Sequence, residues 1–184
     1  LVVDVPTSSN YDYYRLSVTD PSGVQLALYE VGLDRTYGVG LPAAGQYLVS
    51  ISAGDNFFQS GQNYSLTASL SAGTQAGYES ERNDTDDSAD VITDGALVRA
   101  QIASPTDVDT FLYTAAQAGV LALAIDLPSE VASSSYDFFR FEFVDDTGLV
   151  LARFSSRVDE TLRVALPKAG DYLVRTSATN PNYY

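Results

Sequence analysis

Polar and apolar residues alternate along much of this chain, the period of two that a half-buried β-strand requires. The clearest runs are Arg15-Leu16-Ser17-Val18-Thr19, Gln46-Tyr47-Leu48-Val49-Ser50-Ile51 and Tyr64-Ser65-Leu66-Thr67-Ala68. Turn-forming clusters stand between such runs: Asp20-Pro21-Ser22-Gly23, Pro42-Ala43-Ala44-Gly45, Asp145-Asp146-Thr147-Gly148 and Pro167-Lys168-Ala169-Gly170. In the second half the alternation predicts strands over 97–102, 110–114, 120–127, 138–144, 150–154, 160–166 and 171–176. No segment has the 3.6-residue period of an amphipathic helix. Short strands punctuated roughly every eight to twelve residues by turns belong to an all-β sandwich or barrel.

The strands occur twice in the same order. Tyr11-Asp12-Tyr13-Tyr14-Arg15 lies over Tyr136-Asp137-Phe138-Phe139-Arg140 at an offset of 125 residues. Without a gap, that offset carries Asp20 to Asp145, Gly23 to Gly148, Leu26-Ala27 to Leu151-Ala152, Leu41-Pro42 to Leu166-Pro167 and Tyr47-Leu48-Val49 to Tyr172-Leu173-Val174. Upstream, Val3-Asp4-Val5-Pro6 matches Ile125-Asp126-Leu127-Pro128 if the second copy has three extra residues within 129–135, where a short polar insertion fits a surface loop. The expected organisation is one β-sandwich repeat over 1–70, truncated at its start, a linker over 71–78, and a second repeat over 79–184, truncated at its end. The second copy lacks a counterpart of the strand at 63–70. A window cut from a longer tandem array accounts for both truncations.

Composition narrows the chemistry. The formal charge of −14 opposes binding to nucleic acid or to anionic lipid. No apolar run reaches the roughly 18 residues of a membrane-spanning helix. There is no Cys and no His, which removes disulfides, thiolate and imidazole metal ligands and the Ser-His-Asp arrangement. Paired carboxylates such as Asp145-Asp146 and Asp86-Asp87 fit turns better than the separated acid and base of a glycosidase. The expectation is a protein that is not an enzyme.

One segment departs from the alternation. Residues 78–90 carry Glu79, Glu81, Asp84, Asp86, Asp87 and Asp90 against a single Arg82, a density of like charge that needs water, salt or a cation to relieve it. It is either a solvated linker, with Asp84 or Asp86 capping a turn, or a metal-binding hinge. Glu79, Glu81 and Asn83 share one side if the segment is extended, and carboxylates with amide and backbone oxygens are what calcium selects. The aromatic run 11–14 and its counterpart 136–139 fit core packing, with exposed Tyr a possible platform for sugars or a fibrous protein. The aromatic loops at 55–58 and 180–184 occupy matching positions and are candidates for docking between repeats. Asn63-Tyr64-Ser65 and Asn83-Asp84-Thr85 fit the N-glycosylation pattern.

The opening E-x-E-x-N-D-T at 79–85, the D-x-D of Asp107-Val108-Asp109 before an aromatic strand, the D-x-x-G turn and the closing L-P-x-A-G-x-Y-x-V together resemble the bacterial pre-peptidase C-terminal domain family, which includes collagenase collagen-binding domains. The resemblance implies tandem antiparallel jelly-roll-like β-sandwiches, secreted or at the cell surface. It also implies a calcium ion held by Glu79, Glu81, Asn83 and Asp84 of the acidic segment with Asp107 and Asp109 of the partner loop. The function expected is non-catalytic: a structural or adhesive role in a stalk, fibre or surface layer, with neighbouring copies of itself as partners and calcium at the inter-repeat junction. The alternative is an accessory module of a secreted peptidase or other hydrolase that binds an extracellular polymer.

Overall fold

A computed structural model describes residues 1–5, 13–54, 63–71, 77–128 and 136–180. The all-β expectation holds: the described residues contain thirteen strands, no α-helix, and one 3-10 turn at Asp86–Ser88. None of their helices is long and apolar enough to cross a membrane. Contacts divide the chain into two units, Leu1–Glu81 and Arg82–Tyr184.

Unit 1 contains β1 (Val2–Asp4), β2 (Tyr14–Thr19), β3 (Gln25–Val31), β4 (Arg35–Thr36), β5 (Leu48–Ala53) and β6 (Ser65–Thr67). They form two antiparallel sheets, ordered β4-β1-β6 and β3-β2-β5. The alternation in β2 places Leu16 and Val18 inside, where Leu16 joins Val3, Val5, Val31 and Tyr37 in a small core. Tyr14, Tyr29, Val49 and Ile51 pack around that core. The β2–β3 pairing shifts register between Val18 and Thr19 as it enters a turn organised by Asp20. The Asp20 carboxylate accepts from the amides of Ser22 at 2.7 Å and Val24 at 3.0 Å, and Gly23 takes φ 90. Asp closes this turn through its side chain, and Gly accommodates the left-handed backbone.

Unit 2 contains β7 (Asp90–Ile92), β8 (Val108–Ala115), β9 (Gly119–Ile125), β10 (Phe139–Asp145), β11 (Val150–Ser156), β12 (Glu160–Leu166) and β13 (Gly170–Ala178). A five-stranded sheet runs β11-β10-β13-β8-β7, and β12 pairs with β9 in a second, two-stranded sheet. All pairings are antiparallel except β7 with β8. Phe111, Phe141, Phe143, Leu162, Val164, Tyr172 and Val174 form the core, the inward positions of four alternating strands. Phe143 and Phe154 meet edge to face at 5.9 Å.

Two expectations are corrected. Residues 97–102 do not form a strand: Leu97 is 63% exposed, and burial arrives at the consecutive pair Ile102 and Ala103. Alternation alone does not make a strand without a ladder partner, and the edge beside β8 is taken by β7. β7 itself was not foreseen, because its three residues follow directly on the acidic run. Tyr14 and Phe139 pack against the two cores, whereas Tyr136 is 68% exposed. The aromatic loop at 55–58, most of the linker at 71–78 and the tail at 181–184 lie outside the described residues.

Candidate metal centre

The division between the units falls inside the acidic segment, between Glu81 and Arg82, and Arg82 takes the left-handed φ of 76. The two parts of the segment have different surroundings. In unit 1, Tyr78 and Glu79 lie against the chain that follows β4. A side chain on Gly38 would collide with the Tyr78 ring, and one on Gly40 with the Glu79 carbonyl, so the two glycines provide the space for this approach. Tyr29 donates its hydroxyl to the Gly38 carbonyl at 2.5 Å and lies 4.7 Å from the Tyr37 ring. Burial, then the neighbouring Tyr78 phenol and the Glu79 and Glu81 carboxylates, push the Tyr29 phenol above its ordinary range, so it remains a protonated donor. Glu79 and Glu81 are both buried, at 4% and 6% exposure. Neither is the solvated charge of a flexible linker.

In unit 2, Asn83 is fully buried. Its carbonyl accepts from the Thr110 amide at 3.0 Å, and its side-chain amide donates to Asp90 at 3.3 Å. These bonds fasten the segment to the start of β7 and to β8. A glycan on Asn83 is incompatible with that burial. After Asn83 the chain turns through Asp86–Ser88, closed by the Thr85 amide donating to the Ser88 hydroxyl at 3.1 Å and the Ser88 amide to the Thr85 carbonyl at 3.0 Å. Thr85 therefore caps the turn, in the role expected of Asp84 or Asp86. Asp86 instead forms an ion pair with Arg175 at 2.6 Å.

Asp84 and Asp107 come together. The Val108 amide donates to Asp84 Oδ1 at 3.4 Å, and the Ala103 amide donates to Asp107 Oδ2. Burial raises the Asp107 carboxyl from the ordinary 3.8 to about 6; the Ala103 and Val108 amides oppose the shift, and the hydrogen-bonding Asp84 carboxylate adds to it. Two carboxylates this close share a proton, or a cation bridges them. Asp109 is 1% exposed beside the fully buried Thr110. Among the described residues, no three or more Asp, Glu, His or Cys side chains converge as a metal would need. The pair suits a cation; a complete calcium cage would also need backbone, amide or water oxygens.

The chain matches no protein-family model and no curated protein.

Of the six predicted ligands, Glu79 and Glu81 belong to unit 1, and Asn83, Asp84, Asp107 and Asp109 to unit 2. Sequence reasoning missed Tyr29, Tyr37, Gly38 and Gly40. The signal that pointed to them was the G-x-G of Gly38-Val39-Gly40, which marks a close approach of backbone.

Proposed function

We propose that this chain is a stretch of a non-catalytic extracellular array, in which copies of one jelly-roll-like β-sandwich of the pre-peptidase C-terminal type serve as structural or adhesive units of a stalk, fibre or surface layer. The observation that carries this reading is the coincidence of pairing register between the units. Tyr14 faces Val31 and Ala53, and 125 residues on Phe139 faces Ser156 and Ala178. The register shift between Val18 and Thr19 recurs between Phe143 and Val144, at the same offset of 125 residues. Asp145 organises its turn as Asp20 does, accepting from the amides of Thr147 at 2.9 Å and Leu149 at 3.0 Å. Val5 donates its amide to Asp34 at 2.8 Å and Leu127 to Asp159 at 2.9 Å. Repetition of a scaffold down to its bulge and turn bonds suits a protein whose role is to be stacked.

Calcium is the cofactor in this reading, with Asp84 and Asp107 as its carboxylates and Asn83 and Asp109 as neighbouring oxygen donors. It would neutralise the repulsion that the acidic segment builds up. The test is a melt of the chain in EDTA and across a calcium titration, with magnesium as control. At about 10 mM calcium and a dissociation constant of about 10⁻⁴ M, mass action adds roughly 2.7 kcal/mol, a rise of about 10 °C or more in midpoint. A calcium-specific rise lost in Asp107→Ala supports the metal, and identical melts overturn it.

One observation favours the accessory-module alternative. An open cleft of about 500 Å³ in unit 2 is lined by Tyr136 and Phe138 together with Asp137, Arg140 and Asn180. Aromatic faces beside hydrogen-bonding groups suit a polysaccharide or an extended peptide. Retention on insoluble glycans or fibrous protein, lost in Tyr136→Ala, would favour that reading.

A further inference from the structure

Arg15 and Arg140 stand at equivalent registers of their own sheets but have different partners. On β2, Arg15 faces Glu30 of β3, and the two form an ion pair at 2.7 Å. On β10, Arg140 faces Ser155 of β11 on one side and Ser177 of β13 on the other. The position that carries a neutralising carboxylate in unit 1 therefore carries a hydroxyl in unit 2. Arg153 and Arg175, on the strands that flank β10, are in ion pairs with Glu142 and Asp86, each at 2.6 Å. Among the described residues Arg140 is in none. We propose that Arg140 is an anion-binding subsite of the unit 2 cleft, and that its ligand is a glycan carrying an isolated carboxylated sugar. The proposal rests on the accessory-module reading.

The cleft supplies both halves of such recognition. Phe139 packs against the core, and the residues on either side of it, Phe138 and Arg140, line the cleft together with Tyr136 and Ser155. Tyr136 is 68% exposed, and Arg140 and Ser155 are exposed as well. An aromatic ring offers an apolar face to the C–H face of a sugar. A guanidinium presents two parallel N–H donors to a carboxylate, and a serine hydroxyl can donate or accept. Asp137 also lines the cleft, but Arg157 neutralises it at 3.3 Å, so Arg140 leaves the local charge positive.

Charge and hydrogen bonding select among ligands. The chain as a whole carries −14, so a polymer charged at every sugar is repelled. At physiological ionic strength charges beyond roughly 8 Å are largely screened, and one carboxylate in an otherwise neutral glycan meets chiefly the local positive charge. An extended peptide fits less well. Such a peptide gains most of its affinity by adding a strand to an open edge, and β10 is already paired along both edges. In unit 1 the Arg15–Glu30 pair leaves no equivalent charge to offer.

The test is an NMR titration of the intact chain, reading the signals of residues 136–140, with cellotetraose and xylotetraose, each plain and bearing a single glucuronate. The glucuronate-bearing sugar is expected to bind about tenfold more tightly than its plain counterpart and than tetragalacturonate. Arg140→Gln is expected to abolish that preference and to leave the melt unchanged. Ser155→Glu, which installs the carboxylate found in unit 1, is expected to abolish it too. Equal affinity for plain and glucuronate-bearing sugars, or a preference that survives Arg140→Gln, overturns the proposal. So does a sulfated tetrasaccharide that binds as tightly as the glucuronate-bearing one, or an acetylated pentapeptide with one glutamate that binds more tightly than any sugar. The accessory-module reading is judged separately: binding of a plain sugar that is lost in Tyr136→Ala sustains it even where the carboxylate makes no difference, and binding of none of these ligands overturns both.

Discussion

Tyr47 and Tyr172 make the same bond in different surroundings. Each follows a Pro-x-Ala-Gly turn and donates its hydroxyl back to the carbonyl four residues earlier, Tyr47 to Ala43 at 2.6 Å and Tyr172 to Lys168 at 2.8 Å. Tyr172 is 1% exposed and belongs to the core of unit 2, whereas Tyr47 is half-buried. The difference comes from the neighbouring strand. β13 is covered by β8, with Tyr172 facing Tyr113, but β5 is the last strand of its sheet among the described residues. Across the other sheet the inequality reverses, because among the described residues β1 is paired with β6 as well as β4, and β9 with β12 alone. Local sequence sets the turn and its bond; which edges are covered sets how much each residue contributes.

That comparison fails if equivalent substitutions cost the same. Tyr172→Ala should cost about 4 kcal/mol in chemical denaturation of the intact chain, and Tyr47→Ala about half of that. Next in size is Gly40→Ala, which drives a methyl group into the Glu79 carbonyl and should cost about 3 kcal/mol, whereas Gly119→Ala, with open space around it, should be close to neutral. Asn83→Ala removes the buried donor to Asp90 and should cost about 2 kcal/mol, with faster amide exchange over Asp90–Ile92.

The smallest effect is at Asp107 and has the opposite sign. Its carboxyl titrates at about 6 in the folded chain, above the ordinary 3.8, so the folded state binds that proton more tightly than the unfolded state does. The stabilisation is complete below the unfolded value and is lost as pH rises through about 6. Asp107→Asn keeps an acceptor for the Ala103 amide and removes the repulsion with Asp84. It should stabilise the metal-free chain by about 1 kcal/mol at pH 8, after discounting for partial exposure, and by nothing at pH 4. A melt of wild type and variant at the two pH values measures it.

The strands with long, regular alternation were legible in the sequence, and the span Glu160–Leu166 was read to the residue. The turns at Asp20 and Asp145 were legible because their hydrogen bonds are local to four residues. What could not be read depends on partners distant in sequence. The ladder that would have made 97–102 a strand is occupied by β7, and the ion pair of Asp86 lies 89 residues away at Arg175. The acidic segment was legible as a dense run of charge. Its division was not, because the approach of Tyr78 and of the Glu79 backbone to unit 1 depends on the space left by Gly38 and Gly40, about 40 residues earlier in the chain.

Residue-resolved amide exchange of the intact monomeric chain tests most directly the claim that two copies of one sandwich differ in which edges are covered. The prediction is a crossing: β13 exchanges more slowly than β5, while β9 exchanges faster than β1, with β2 and β10 protected alike. If both pairs differ in the same direction, one unit is simply the more stable, and edge coverage is not what distinguishes them.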